Sequence, residues 1–172
     1  MKYLLLIFAF LFTGCAVKHA PLQSVESVDL SRYLGTWYEI ARYEHSFEKG
    51  CLNVSATYAR KDNGDISVLN QCTLEDGTLK KAQGVAYAVD ATNSKLKVSF
   101  FRPFYGNYWI LMLDEAYSYA VIGEPSREYF WILSRTPTLS QETLHPILSA
   151  MSSLGYKQEL LIWTEQNDKA TP

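Results

Sequence analysis

Between Gly35 and Arg135 the chain falls into short apolar-rich runs of five to nine residues, several of which alternate apolar and polar side chains with a period of two. The runs are "TWYEIARY", "LNVSATYAR", "ISVLNQC", "VAYAVD", "KLKVSFF", "NYWILML", "YAVIG" and "YFWILSR". Alternation of this kind puts successive side chains on opposite faces of a strand. Asn63-Gly64 between the second and third runs is a hairpin signal, and short breaks with Gly, Asn, Asp or Pro separate the others. No helix long enough for a βαβ crossover lies among them, so the pattern predicts eight antiparallel strands in a barrel or sandwich. The period then changes. Leu144, Ile147, Leu148, Met151 and Leu154 recur at helical spacing, with Ser140 as N-cap and Gly155 as stop. Pro146 removes one donor and predicts a kink or a late start. "ELLIWTE" predicts a last strand.

The first 28 residues are different. Lys2 precedes an unbroken apolar run from Tyr3 to Phe12, too short for a spanning helix of about 20 residues and suited to the core of a secretory signal. "LFTGC" at 11–15 resembles a bacterial lipobox, in which the cysteine becomes the acylated first residue. The resemblance implies a signal peptide over 1–14 and three acyl chains (diacylglyceryl and palmitoyl) on Cys15, enough for stable attachment. Ala16, where an Asp would signal inner-membrane retention, points to an outer membrane, facing the periplasm. Residues 15–28 then read as a lipidated, flexible tether, 29–166 as one domain and 167–172 as a tail. Asp29 is placed to cap a brief helical turn.

Without the signal, 158 of the 172 residues remain, with 15 basic against 18 acidic side chains. This mild acidity gives no footprint for nucleic acid. Cys51 and Cys72 are left in a compartment where a disulfide persists.

Gly35-Thr36-Trp37 opening the first strand, Asp114 with Tyr117 between the sixth and seventh, Arg135 ending the eighth, and a helix after it together resemble the lipocalin family. The likeness is to its bacterial outer-membrane lipoproteins and to apolipoprotein D, and it covers residues 29–164. It implies an all-β fold: an eight-stranded antiparallel up-and-down barrel with one C-terminal helix and a final short strand. In the family Trp37 plugs one end under the guanidinium of Arg135, while Gly35 admits the backbone closely. These three are structural residues. The apolipoprotein D pattern implies a cavity lined by Tyr58, Asn70, Trp109 and Trp131, with Trp109, Leu111 and Leu113 on one face.

The resemblance also sets the rim. "FFRPFYG" brings Phe100 and Arg102 to the open end, and "EHSFEKG" adds Phe47 and Lys49. Such a lip suits a ligand with an acyl tail and an anionic head, and equally a membrane surface. Cys51 and Cys72 fall at the same end, and a disulfide would staple it. A two-residue Asn63-Gly64 turn gives the cysteines one parity. A three-residue Asp62-Gly64 loop turns Tyr58 and Asn70 inward together and leaves the cysteines in opposite parity, so the bridge then needs a curl or bulge. If Trp37 faces inward, so do Glu39 and Ala41. A buried Glu39 needs a partner: Arg135 is one candidate, and a bulge turning Glu39 outward is the alternative.

The reading is a membrane-anchored binding protein for small hydrophobic ligands such as fatty acids or lysophospholipids. It assigns no cofactor, no metal and no catalytic residue, and a homodimer is compatible with it. The rivals are a lipocalin-fold enzyme acting on a lipid or epoxide, with Glu39 the titratable group to watch, a haem carrier using Tyr58, and a structural envelope protein.

Overall fold

The computed structural model describes residues 19–167; Cys15 and the apolar run before it lie outside the described residues. The strands are β1 (Gly35–Arg42), β2 (Cys51–Arg60), β3 (Ile66–Leu74), β4 (Leu79–Ala88), β5 (Lys95–Phe101), β6 (Phe104–Leu113), β7 (Tyr119–Gly123) and β8 (Phe130–Ser134). Each pairs antiparallel with the next, and β1 pairs with both β2 and β8, so the sheet closes on itself. A short α1 (Leu30–Tyr33) leads in; α2 (Gln141–Met151) and β9 (Ile162–Trp163) follow the eighth strand. The last strand is shorter than its apolar run because Gln158–Leu160 forms a 3-10 turn, and Ile162–Trp163 pairs with Ala41 and Arg42.

Local chemistry accounts for the corners. Asp29 accepts from the Ser31 N–H at the start of α1. Ser140 accepts from the Thr143 N–H, and α2 begins directly after it and runs through Pro146, so there is no late start. The β2–β3 hairpin closes with Lys61 N–H donating to the Asp65 carbonyl at 2.8 Å, leaving Asp62-Asn63-Gly64 as a three-residue loop with Gly64 at φ +87°. That loop sets the register: Tyr58 opposes Val68 and Ala56 opposes Asn70.

Alternation divides the apolar side chains between two cores. Val121 and Ile132 point out and pack with Leu144, Ile147 and Met151 of α2. Trp37, Val68, Leu96, Ile110, Ile122 and Leu133 point in and fill the lower barrel. The stretch expected as a flexible tether joins both. Leu22 is buried in the outer core, the Val25 N–H donates to the Ile110 carbonyl, and the Val28 N–H donates to the Thr92 carbonyl. From Ala20 onward this segment is laid down on the barrel wall.

The register shifts at four places: one lies in the β5–β6 hairpin between Val98 and Phe101, and the other three redirect side chains in β1, β2 and β6. In β1 the register shifts between Glu39 and Ala41, so Glu39 faces in, Ala41 joins the outer core and Arg42 turns inward. In β2 it shifts between Leu52 and Ser55, where Asn53 has φ +51°. That bulge reconciles the opposed parity of the cysteines: Cys51 and Cys72 are bridged, with Cα atoms 5.4 Å apart. In β6 the shift between Ile110 and Met112 puts Tyr108 and Ile110 inside but Leu111 outside.

Candidate functional site

One end of the barrel is shut. Trp37 is fully buried, and its indole N–H donates to the Tyr33 carbonyl at 2.8 Å. The Arg135 guanidinium lies 3.8 Å over the Trp37 ring and donates to the carbonyls of Arg32, Tyr33, Leu34 and Thr36. It thereby satisfies carbonyls left open at the end of α1 while stacking on an aromatic face. Gly35 sits at φ +94°, and a Cβ there would meet Arg135 Nη1 at 3.3 Å. Asp114 accepts from the backbone N–H groups of Ser118 and Tyr119, holding the turn that carries Tyr117, whose hydroxyl accepts from Asp29 N–H.

The other end opens on a cavity of about 600 Å³, within the range of small-molecule sites. Its lower wall is a row of phenols. Tyr33 and Tyr58 each lie within hydrogen-bond reach of the Tyr108 hydroxyl, at 2.7 and 2.9 Å. Three hydroxyl protons meet only two contacts there, so one donor is left over. Burial pushes the Tyr58 hydroxyl up to about 12 and Tyr108 well above the usual phenol range. All three stay neutral, which makes Tyr58 a poor phenolate ligand for iron. Asn70 adds an acceptor, since its Oδ1 is buried without a partner. A side recess of about 290 Å³ runs between Asn70, Phe100, Lys80 and the disulfide.

Near the mouth is a buried charged cluster. Glu39 Oε1 accepts from Arg42 Nη1 at 3.1 Å and from the Thr164 hydroxyl. Arg42 Nη2 donates to the Glu48 carbonyl, and its Nε lies 3.5 Å from the Glu48 carboxylate. Trp131 donates to that carboxylate at 3.4 Å. His45 stacks on Phe47 at 4.3 Å and packs on Trp131. Burial, and then the neighbouring Glu48, raise Glu39 to about 8; burial also raises Glu48. Burial and then Arg42 pull His45 down to about 4, so its imidazole is neutral. Among the described residues the main cavity is lined by Glu39, Glu48, Glu124 and Glu128, with no lysine or arginine.

Of the residues expected at the ligand, Tyr58, Asn70, Trp131 and Phe100 border the cavity. Trp109 does not. The β6 bulge breaks the face it was expected to share with Leu113, and Trp109 packs outside against the helix-side core under Lys95 Nζ at 4.4 Å. Tyr108 takes the inward place. Arg102 is exposed in the β5–β6 turn and points at no cavity wall. The partner of Glu39 is Arg42, delivered by the β1 bulge, and not Arg135. The signal for Tyr108 was legible in β5: Lys95 and Lys97 face out, and their register partners are Trp109 and Asn107.

A family model described as a lipocalin-like domain matches residues 28–166. The chain belongs to the lipocalin family. It is 44% identical over 162 residues to "Outer membrane lipoprotein Blc" of Citrobacter freundii, covering 92% of each chain. It is 35% identical over 158 residues to apolipoprotein D of Bos taurus, covering 86% of this chain and 81% of that one. Among solved structures, insecticyanin from the tobacco hornworm superposes with a TM-score of 0.72 at 22% identity, over 88% and 87% of the two chains. This lipocalin thus shares its barrel with distant members and most of its sequence length with bacterial ones.

Proposed function

We propose that this lipocalin is an outer-membrane lipoprotein, anchored through Cys15 and facing the periplasm, that binds fatty acids or lysophospholipids and stores or carries them. The carrying observation is the cavity itself: open at one end, mostly aromatic and aliphatic along its walls, with polar groups at Tyr58, Tyr108 and Asn70, at Ser55, Asn107 and Ser126, and at the acidic side chains. An acyl tail inside gains about 0.8 kcal/mol per buried methylene. The absence of lining cations argues for tail in and head out. An anionic head would be repelled by Glu48 and its neighbours, whereas Lys80 borders the recess and Lys49 and Arg102 are exposed beside the mouth. The likeness to proteins named outer membrane lipoprotein supports the address.

Binding is tested with a fatty acid brominated along its chain. Trp131 faces the cavity and Trp109 does not, so quenching should saturate at one ligand and fall by most of its amplitude in Trp131→Phe. Quenching that survives Trp131→Phe, or none at all, counts against the reading.

One observation favours a lipocalin-fold enzyme as a second reading: a carboxyl held to about 8 beside a cavity is suited to proton transfer at neutral pH. Its partners, Arg42 and Thr164, already engage it. Turnover of an epoxy fatty acid by the purified protein, lost in Glu39→Gln, would establish it; an unchanged substrate would leave the carrier.

A further inference from the structure

The chain enters the fold beside the cavity mouth. The Ala20 carbonyl accepts from Arg127 Nη2 at 2.6 Å. Arg127 belongs to the β7–β8 loop, whose Glu124, Ser126, Glu128 and Tyr129 border the cavity. From there the segment runs down the outside wall, past Ile110 at Val25, to Thr92 in the closed-end β4–β5 loop at Val28. Cys15 is four residues before His19, and four residues span at most ~14 Å. The wall is longer: a ten-residue strand such as β2 extends roughly 30 Å. An anchor at Cys15 therefore holds the open end toward the bilayer and the closed end away from it.

The same end is the one prepared for an apolar surface. Phe101 is 76% exposed and Phe104 71%, with parallel rings 6.4 Å apart at the tip of the β5–β6 hairpin. Phe47, Leu79 and Phe100 are also exposed around the mouth. In the closed-end loops Val89 is the only large apolar residue exposed among the described residues. Contiguous exposed aromatics mark interaction surfaces, and Arg102 between the two phenylalanines can keep its guanidinium at the polar interface while its stem lies among apolar groups.

We propose that the barrel docks mouth-first on the bilayer that anchors it, with Phe101 and Phe104 seated in the interfacial region. A lipid then passes between membrane and cavity without crossing bulk water. The inference rests on the anchor at Cys15 and adds the orientation.

The test uses the full acylated chain in vesicles of phosphatidylethanolamine and phosphatidylglycerol containing a lipid with a nitroxide on its acyl chain. Intact mass first reads acylation, which separates a missing anchor from a missing dock; an unacylated Cys15 overturns the orientation together with its premise. With Cys15 acylated and Cys51 bridged to Cys72, an introduced cysteine is the one free thiol. A fluorophore on Leu79→Cys reports the rim, and one on Asn63→Cys reports the closed end. The rim label should be quenched several-fold more, and the added changes Phe101→Asp and Phe104→Asp should remove most of that difference. Equal quenching at both ends overturns the docking. So does a rim label that lipids leave unquenched but that cross-links to a second copy, since the aromatic lip would then be a protein interface.

Discussion

The two ends of this barrel solve opposite problems with the same residue types. At the closed end an arginine and a tryptophan meet, and each polar nitrogen of the pair has an acceptor. Arg135 donates to four carbonyls around α1 and to that of Tyr117, and it stacks on Trp37, whose indole N–H donates to the Tyr33 carbonyl. At the open end an arginine and a tryptophan also meet, around Glu48, but the polar groups are left short. Arg42 Nε and His45 Nδ1 lie 3.5 and 3.2 Å from the Glu48 carboxylate without hydrogen-bond geometry. His45 Nε2, Asn70 Oδ1 and Ser99 Oγ are buried without partners, and all five lie from the middle of the barrel upward. A satisfied network fixes a structure; an unsatisfied one costs stability and leaves groups that a ligand or water can engage. Stability is concentrated where the cavity ends, and reactivity toward ligands where it opens.

The comparison can be broken by substitutions of decreasing effect. Trp37→Ala empties the plug and should cost about 3–5 kcal/mol in denaturant unfolding. Replacing Cys51 and Cys72 by serine releases a link across 21 residues and should cost about 3 kcal/mol. Its effect should be confined to the open end, with amide exchange rising in β2 and β3 near the mouth and unchanged at α1. A double-mutant cycle between Trp37 and Arg135 should give a coupling of about 1–2 kcal/mol, and Arg135→Lys should recover little of it, because the planar fork is what reaches the carbonyls.

Titration sharpens the contrast, because the carboxyls raised by burial and the shifted imidazole cluster at the open end. In the closed-end loops hydrogen bonds hold Asp90 and Asp114 below their ordinary value. Glu39 is held to about 8, above its ordinary value near 4.5, so the folded state binds its proton more tightly. The stability this contributes is complete below the ordinary value and is lost as pH rises toward 8; Glu48 acts in the same direction. His45, held to about 4, does the reverse: its contribution is present above about 6.5 and is lost as pH falls toward 4. Between pH 6.5 and 8 the carboxyls act alone, and the unfolding free energy should fall by about 1–2 kcal/mol. Glu39→Gln should flatten that slope. The smallest effect belongs to the rim: Phe101→Ser with Phe104→Ser should change stability by no more than about 0.5 kcal/mol, since both side chains already face solvent.

What was legible in the sequence divides along the same line. The plug was readable because Gly35, Trp37 and Arg135 sit at strand ends, where a motif and a parity suffice. The mouth was not, because bulges decide it. One extra residue in β6 sent Trp109 outside and left Tyr108 within; one in β1 turned Arg42 onto Glu39; another in β2 brought Cys51 to Cys72. Strict alternation carries a parity correctly only as far as the next bulge. The register could still have been anchored from the neighbouring strand, where Lys95 and Lys97 mark the solvent face. The Asn63-Gly64 signal located its hairpin, and the three-residue form of that loop set Tyr58 and Asn70 on the inner face. Residues 20–28 misled in another way: they are polar in composition, yet a few apolar contacts and two backbone hydrogen bonds lay them along the wall.

The central claim is that the space bounded by Ala56, Tyr58, Trp131 and their neighbours holds an acyl chain. Ala56 borders that space and stands opposite Trp37 in the β1–β2 register, so Ala56→Trp fills the cavity from directly above the plug, and unfolding of the variant is measured alongside. Native mass spectrometry of the purified protein and of this variant, with extraction of whatever lipid accompanies each, reads the claim directly. One fatty acid or lysophospholipid per chain in the parent, absent from a folded Ala56→Trp, is the predicted result. A parent that stays empty after incubation with such lipids, or a variant that retains them undiminished, would contradict it.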